Sequence, residues 1–264
     1  MIRLNVVAGL SVVLLSVVSA AAQTSTVGQL AELVALKDKV GNADTRVRVD
    51  ALHRAWSIAL ASSDSEVKVT AIGLLLEPVG SSSDHIRMPA AYAVAEIANS
   101  TDDPRVKTRA LSALAEPLQS TQVPMRNVAI DALNGITRSG RSGEVALAAV
   151  KALAEPIRSG NNGVRIPAIN ALVRAVEGRG HTASYQAAID LLVAPLDSNA
   201  AIGGLEVRMM AVAALEKIGR EATDIGTRAK AMGLLQAYGS RSGWEPEARK
   251  RAQEGAARIE AGSR

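Results

Sequence analysis

The sequence predicts an all-α fold of short helices in antiparallel pairs, repeated along most of the chain. Three observations predict it: apolar residues recur at helical spacing, similar segments return every 39 residues, and the residues available for a core are small or aliphatic. Of the 264 residues, 48% are hydrophobic but only 2% are aromatic, and Phe is absent. Ala, Leu, Val and Ile must therefore fill the interior, which suits thin helical layers better than a sheet-rich enzyme core. There is no Cys, so disulfides, thiol catalysis and thiolate metal sites are excluded. The net charge of +4 is spread along the chain without a block of Lys and Arg, so nucleic acid is not an expected partner.

Residues 1–22 read as a signal peptide. Arg3 supplies a short positive start, Val6 to Val18 an apolar run, and Ser19-Ala20-Ala21-Ala22 the small residues for cleavage after Ala20 or Ala22. The apolar run is shorter than the ~20 residues that span a bilayer. The expectation is export to the periplasm or medium, with no membrane span after cleavage.

The remainder, 23–264, reads as one repeat array. Segments starting at Val47, Ile86, Met125 and Val164 are alike and lie 39 residues apart, and a fifth from Val207 arrives four residues late. The extra residues fall in the stretch Ser198–Glu206, rich in Ala and Gly. Between them runs a second series starting at Val67, Val106, Val145 and Ser184, with Pro78, Pro117, Pro156 and Pro195 in the same register. Thr227 to Gly239 continues it without the proline, and Gly28 to Val40 and Glu247 to Ile259 are weaker terminal copies. Apolar residues fall at offsets 0, 4, 5, 8, 11 and 12 of each copy, a helical pattern. Asp44, Asp64, Ser83, Asp103, Ser142, Asn161 and Asp224 stand three residues before the first apolar position, where a side-chain oxygen accepts from a free backbone N–H. Pro104 follows Asp103 at the first helical position, where its missing donor costs nothing. These signals predict about twelve helices in six pairs, with repeats at about 28–60, 67–99, 106–138, 145–177, 184–219 and 227–260.

This pattern resembles the HEAT-repeat family. The matching features are the prolines of the first helices, the second-helix arginines Arg48, Arg87, Arg126, Arg165 and Arg208, and the small residues Ala51, Ala90, Ala129, Ala168 and Ala211. The Asp-x-x-Val-Lys string at Asp64–Lys68 and Asp103–Lys107 is similar to the short HEAT-like repeats of phycobilisome lyases. The resemblance implies a right-handed α-α superhelix, an armadillo-like solenoid with the second helices on its concave side.

On a helical wheel at about 100° per residue the core positions span an arc from about 340° round to 140°. The five arginines lie within it, near 100°, so they are expected to form a structural ladder between repeats, paired with loop acids or helix-end carbonyls. The alternative is a ligand-facing stripe for an anionic polymer, joined by the basic C-terminal helix with Arg249, Lys250, Arg251 and Arg258. Offsets 2, 6 and 9 face the other way and change chemistry from copy to copy. They nominate His53, Trp56, Met88, Tyr92, Asn127, Asp131, Asn134, Ile166, Asn170, Val173 and Met209 as partner-binding residues of a groove with apolar ends and a polar middle.

Nothing in the chain assembles into a catalytic set. His53, His85 and His181 lack metal-ligand spacing, so no metal is expected. Ser65-Glu66-Val67-Lys68 has the spacing of a penicillin-binding nucleophile motif but reads as a helix cap, without the companion motifs. Asn99-Ser100-Thr101 matches a glycosylation sequon by pattern alone. No phosphate loop or dinucleotide fingerprint is present, and no cofactor is expected. The reading is an exported scaffold that binds a protein or peptide, not an enzyme. The alternatives are anionic-polymer binding through the helix starts, or a chaperone or enzyme like a bilin lyase.

Overall fold

The computed structural model describes residues 25–140, 142–177, 181–197 and 204–262. The signal-peptide segment and most of Ser198–Glu206 lie outside them. Among the described residues the chain is helical, without strands: α1 (25–40), α2 (Thr45–Ala61), α3 (Ser65–Val79), α4 (Asp84–Asn99), α5 (Pro104–Ala113), α6 (Ala115–Leu118), α7 (Val123–Ser139), α8 (Gly143–Ala152), α9 (Ala154–Arg158), α10 (Asn162–Val176), α11 (Thr182–Asp197), α12 (Gly204–Glu221), α13 (Ile225–Gly239) and α14 (Pro246–Ala261).

Fourteen helical segments replace the expected twelve among the described residues, because two first helices are broken. α5 stops at Ala113 and α8 at Ala152, each one turn ahead of its proline. Pro117 and Pro156 have no N–H to give the carbonyl four residues back, and their rings crowd it, so α6 and α9 start afresh after Leu114 and Leu153. The equivalent Pro78 and Pro195 sit in unbroken helices. The six pairs survive: α1 with α2, α3 with α4, α5–α6 with α7, α8–α9 with α10, α11 with α12, and α13 with α14.

The helices form two layers. First helices α3, α5, α8, α11 and α13 pack in sequence along one layer, second helices α2, α4, α7, α10, α12 and α14 along the other. One continuous apolar core runs between them, from Leu33 to Ile259. Ala90, Ala129 and Ala211 are wholly buried, and Ala51 and Ala168 nearly so, which lets neighbouring helices approach closely. At Gly219 an added Cβ would lie 2.5 Å from Ile259 Cδ1 and 3.0 Å from Ala231 Cβ, so α12, α13 and α14 meet with no room for a side chain.

Six of the seven expected N-caps form their bond. Asp44, Asp64, Asp103, Ser142, Asn161 and Asp224 accept from backbone N–H groups two or three residues on. Ser83 stands at the cap position of α4 but makes no such bond.

Cations close the N-terminal seams. Lys107 is wholly buried, and its Nζ donates to Ser139 Oγ at 2.7 Å. One repeat earlier Lys68 donates to the Ala59 carbonyl at 3.0 Å and Ser100 Oγ at 2.7 Å. Desolvation pushes the Lys68 ammonium below the usual lysine value. The C-terminal seam is aromatic. Tyr238, which stands where the proline series stops, stacks on Trp244 with ring centroids 4.8 Å apart. Its hydroxyl donates to Asp197 at 2.9 Å. Burial, then the bond to Asp197, pushes that hydroxyl up to about 12. Arg208 lies over the Trp244 ring at 5.8 Å and forms an ion pair with Glu245.

Candidate partner-binding face

Of the five helix-start arginines, Arg87 and Arg208 reach the next repeat, and Arg48 and Arg126 bond within their own. Arg48 and Arg87 are half-buried, while Arg126, Arg165 and Arg208 are buried. Arg48 Nε donates to the Val40 carbonyl at 3.1 Å, and Arg126 Nη1 to the Ser120 carbonyl at 2.9 Å. Arg87 pairs with Asp84 at 2.6 Å and also donates to Gln122. Gln122 and Glu245 are the N-cap residues of α7 and α14, yet neither caps its own helix. Each instead accepts from the arginine of the preceding repeat, Arg87 and Arg208 respectively. These helix starts are thus tied to the repeat before them. Burial pushes the Arg165 guanidinium down from its usual value.

The nominated face divides by offset. At offset 6 His53, Tyr92, Asp131 and Asn170 are all exposed, Tyr92 to 54%. At offset 2 Asn127 is exposed, whereas Met88, Ile166 and Met209 are half-buried against the core. At offset 9 Trp56 and Val173 are half-buried and Asn134 is only 8% exposed. The wheel explains this order. Offset 6 stands near 240°, opposite the middle of the core arc, while offsets 2 and 9 flank it at about 200° and 180°, where a neighbouring second helix covers them. Asn134 is therefore a wall residue and not a crest residue. Its Oδ1 is buried and meets no donor among the described residues. The Trp56 indole N–H is in the same condition, with the His53 ring 6.1 Å away.

Three clefts follow one another between the second helices. The first, about 360 Å³ between α7 and α10, is lined by Asn134, Thr137, Arg138, Arg174 and Glu177. The second, about 280 Å³ between α10 and α12, shares Arg174 and Glu177 and adds Ile169, the nominated Asn170, Val173, Met210, Ala213, Ala214 and Lys217. The third, about 470 Å³ between α12 and α14, shares Ala213 and Lys217 and adds Glu216, Arg220, Glu221 and Arg251. Five cations (Arg138, Arg174, Lys217, Arg220, Arg251) thus face three carboxylates (Glu177, Glu216, Glu221). Glu177 is paired with Lys217. Glu216 is held by Arg258 at 2.6 Å and Arg251 at 3.2 Å. Burial pushes its carboxyl up, but the hydrogen bond from Arg258 and the charges of Arg251, Arg258 and Arg220 outweigh burial and hold it below the usual range. Among the described residues Arg138 and Arg174 are paired with no carboxylate.

The wheel at offsets 2, 6 and 9 misses Arg138, Arg174, Glu177, Lys217 and Arg220. They occupy offsets 10 and 13, one turn further along the same helices. Offset 13 returns to about 220°, so the signal was present in the spacing. The three histidines stay apart, and no group of three His, Asp or Glu among the described residues is placed to hold a metal. No helix among the described residues is long and apolar enough to cross a membrane.

The TOG domain of human Cep104 matches this architecture with a TM-score of 0.58 at 13% identity, over 91% of this chain and 96% of that one. The chain is a helical repeat solenoid. The HEAT-like repeats protein of Thermococcus onnurineus NA1 matches the solenoid at 0.47 and 14% identity, over 91% and 93% of the two chains. A designed armadillo repeat protein matches at 0.44 and 20% identity, over 86% and 99%. Identities this low speak for the fold alone. No protein-family description and no curated protein matches the solenoid's sequence.

Proposed function

We propose that this solenoid is an exported, non-catalytic scaffold that binds a protein or peptide partner along its second-helix face. One observation carries the reading. The interior repeats the same residue types from copy to copy, while the most outward position of the second helices, offset 6, differs in every copy: His53, Tyr92, Asp131, Asn170 and Ala213, all exposed. A surface that varies over a constant frame is suited to reading different parts of one ligand. In the arrays that the sequence resembles, this face is the concave one.

Four of the helix-start arginines have little to offer a polymer: Arg48 and Arg126 are spent on carbonyls of their own repeats, Arg87 and Arg208 on side chains of the next repeat, and the fifth, Arg165, is buried. The likeness to phycobilisome-lyase repeats rests on the sequence pattern. It predicts a spectral shift on mixing with a linear tetrapyrrole, whereas a scaffold leaves the spectrum unchanged.

Crosslinking in the native compartment tests the proposal. The protein is expected to retain a partner whose yield drops when Tyr92→Ser and Asn170→Ala are combined. Recovery indifferent to these changes would count against the face. Export predicts that the mature protein starts just after Ala20 or Ala22, read as its intact mass.

A further inference from the structure

Resting on that reading, we propose that the second-helix face from α7 to α14 is a groove for one class of occupant: an extended acidic peptide segment with an apolar side chain midway between two acidic ones.

Continuity is the first argument. The clefts share lining residues, Arg174 and Glu177 at one junction, Ala213 and Lys217 at the other, so a single strand can run through all three. Charge is the second. At one end Arg138 and Arg174 face a common space with no carboxylate partner among the described residues. At the other end three guanidiniums, Arg220, Arg251 and Arg258, gather on Glu216, with Glu221 as the one further carboxylate of that cleft. Both ends therefore carry guanidinium capacity beyond what the protein's own acids consume, and a guanidinium takes a carboxylate with paired N–H donors. The middle cleft differs: Ile169, Val173 and Met210 form an apolar floor.

Spacing sets the register. Second helices pack about 8–10 Å apart, and an extended chain advances about 3.3 Å per residue, so consecutive clefts receive every third residue. The matching segment reads acidic-x-x-apolar-x-x-acidic. A uniform polyanion fits less well, because it would lay charge on the apolar floor.

The test uses the purified full chain and a dye-labelled probe with blocked ends, Glu-Ser-Gly-Leu-Ser-Gly-Glu, followed by fluorescence anisotropy. The acidic probe is expected to bind, a version with Lys for both Glu not to bind, and a version with Ser for Leu to bind more weakly. Arg138→Ala and Arg174→Ala should each weaken the acidic probe by about tenfold, with unchanged unfolding midpoints. Arg105→Ala, on the first-helix layer, should leave affinity unchanged. Equal binding of the lysine probe overturns the proposal, as does affinity indifferent to both arginines. Heparin binding that the arginine variants abolish, with none for the peptide, makes the site a polyanion site instead. A crosslinked partner lost with Tyr92→Ser and Asn170→Ala but without affinity for the acidic probe overturns the acidic groove and leaves the scaffold standing.

Discussion

The two ends of the solenoid are held together by different chemistry. In the seams around α3 and α5 a lysine enters the interior and satisfies helix-end oxygens, Lys68 on Ala59 and Ser100, Lys107 on Ser139. In the α12–α14 seam an aromatic stack, Tyr238 on Trp244, fills the space, flanked by the Arg208–Glu245 pair. An internal seam has a repeat on either side to supply hydroxyls and carbonyls, so an amphipathic lysine serves. In the α12–α14 seam large flat side chains cover apolar area that would otherwise face water. The C-terminal pair keeps a cation at the lysine position as well, Arg228 donating to the Ala222 carbonyl at 2.9 Å, so the aromatic stack is an addition at the other end of α13.

The largest expected effect breaks the aromatic end. Trp244 is 6% exposed, and Trp244→Ala should cost about 3–5 kcal/mol in a denaturant titration, with early loss of amide protection confined to α12–α14. Next is the lysine seam. Lys107→Ala should cost about 2–3 kcal/mol by removing packed methylenes and the hydrogen bond to Ser139. Lys107→Met keeps the volume and removes the buried charge, so it should cost under about 1 kcal/mol. If Met were as damaging as Ala, the hydrogen bond and not the packing would be what holds that seam. Removing a cap is smaller: Asp103→Ala should cost about 1 kcal/mol, seen as fraying of α5 by hydrogen exchange.

Alkaline titration sharpens the contrast, because the two ends respond with opposite sign. The Tyr238 hydroxyl holds its proton up to about 12 in the folded state, above its ordinary value of 10.0. Its contribution is complete below pH 10 and is lost as pH rises from there toward 12. Lys68 is depressed in the folded state, so the unfolded chain binds its proton more tightly. The penalty of burying that charge is relieved as pH rises toward the ordinary lysine value, and the α2–α4 region gains stability there. Region-resolved hydrogen exchange, corrected for its intrinsic pH dependence, should show protection falling around Tyr238 and rising around Lys68. A uniform response would break the comparison. Smallest of all, Tyr92→Ser should change stability by no more than about 0.5 kcal/mol, since the ring is over half exposed.

Much of the frame was legible from the chain. The positions of Ala51, Ala90, Ala129, Ala168 and Ala211 announced close packing, and six cap residues bond where their spacing puts them. The breaks before Pro117 and Pro156 were less so, because the same proline at Pro78 and Pro195 leaves the helix whole. The face was legible in direction but not in detail. Offset 6 is open in each nominated copy, yet Asn134 at offset 9 is walled in, and the cations at offsets 10 and 13 gather into clefts that a single-helix wheel does not draw.

By itself the sequence determined the period, the pairing of helices and the inward stripe, because these follow from a local pitch of about 3.6 residues and from caps within one turn. Tertiary structure alone decided which outward residues remain open, and where Arg138 and Arg174 meet across neighbouring helices. It also turned Gln122 and Glu245 away from capping their own helices and toward the arginine of the repeat before. The reason is one of range. Coverage of an outward side chain depends on a helix a full repeat away in sequence, and no periodicity within one helix carries that information.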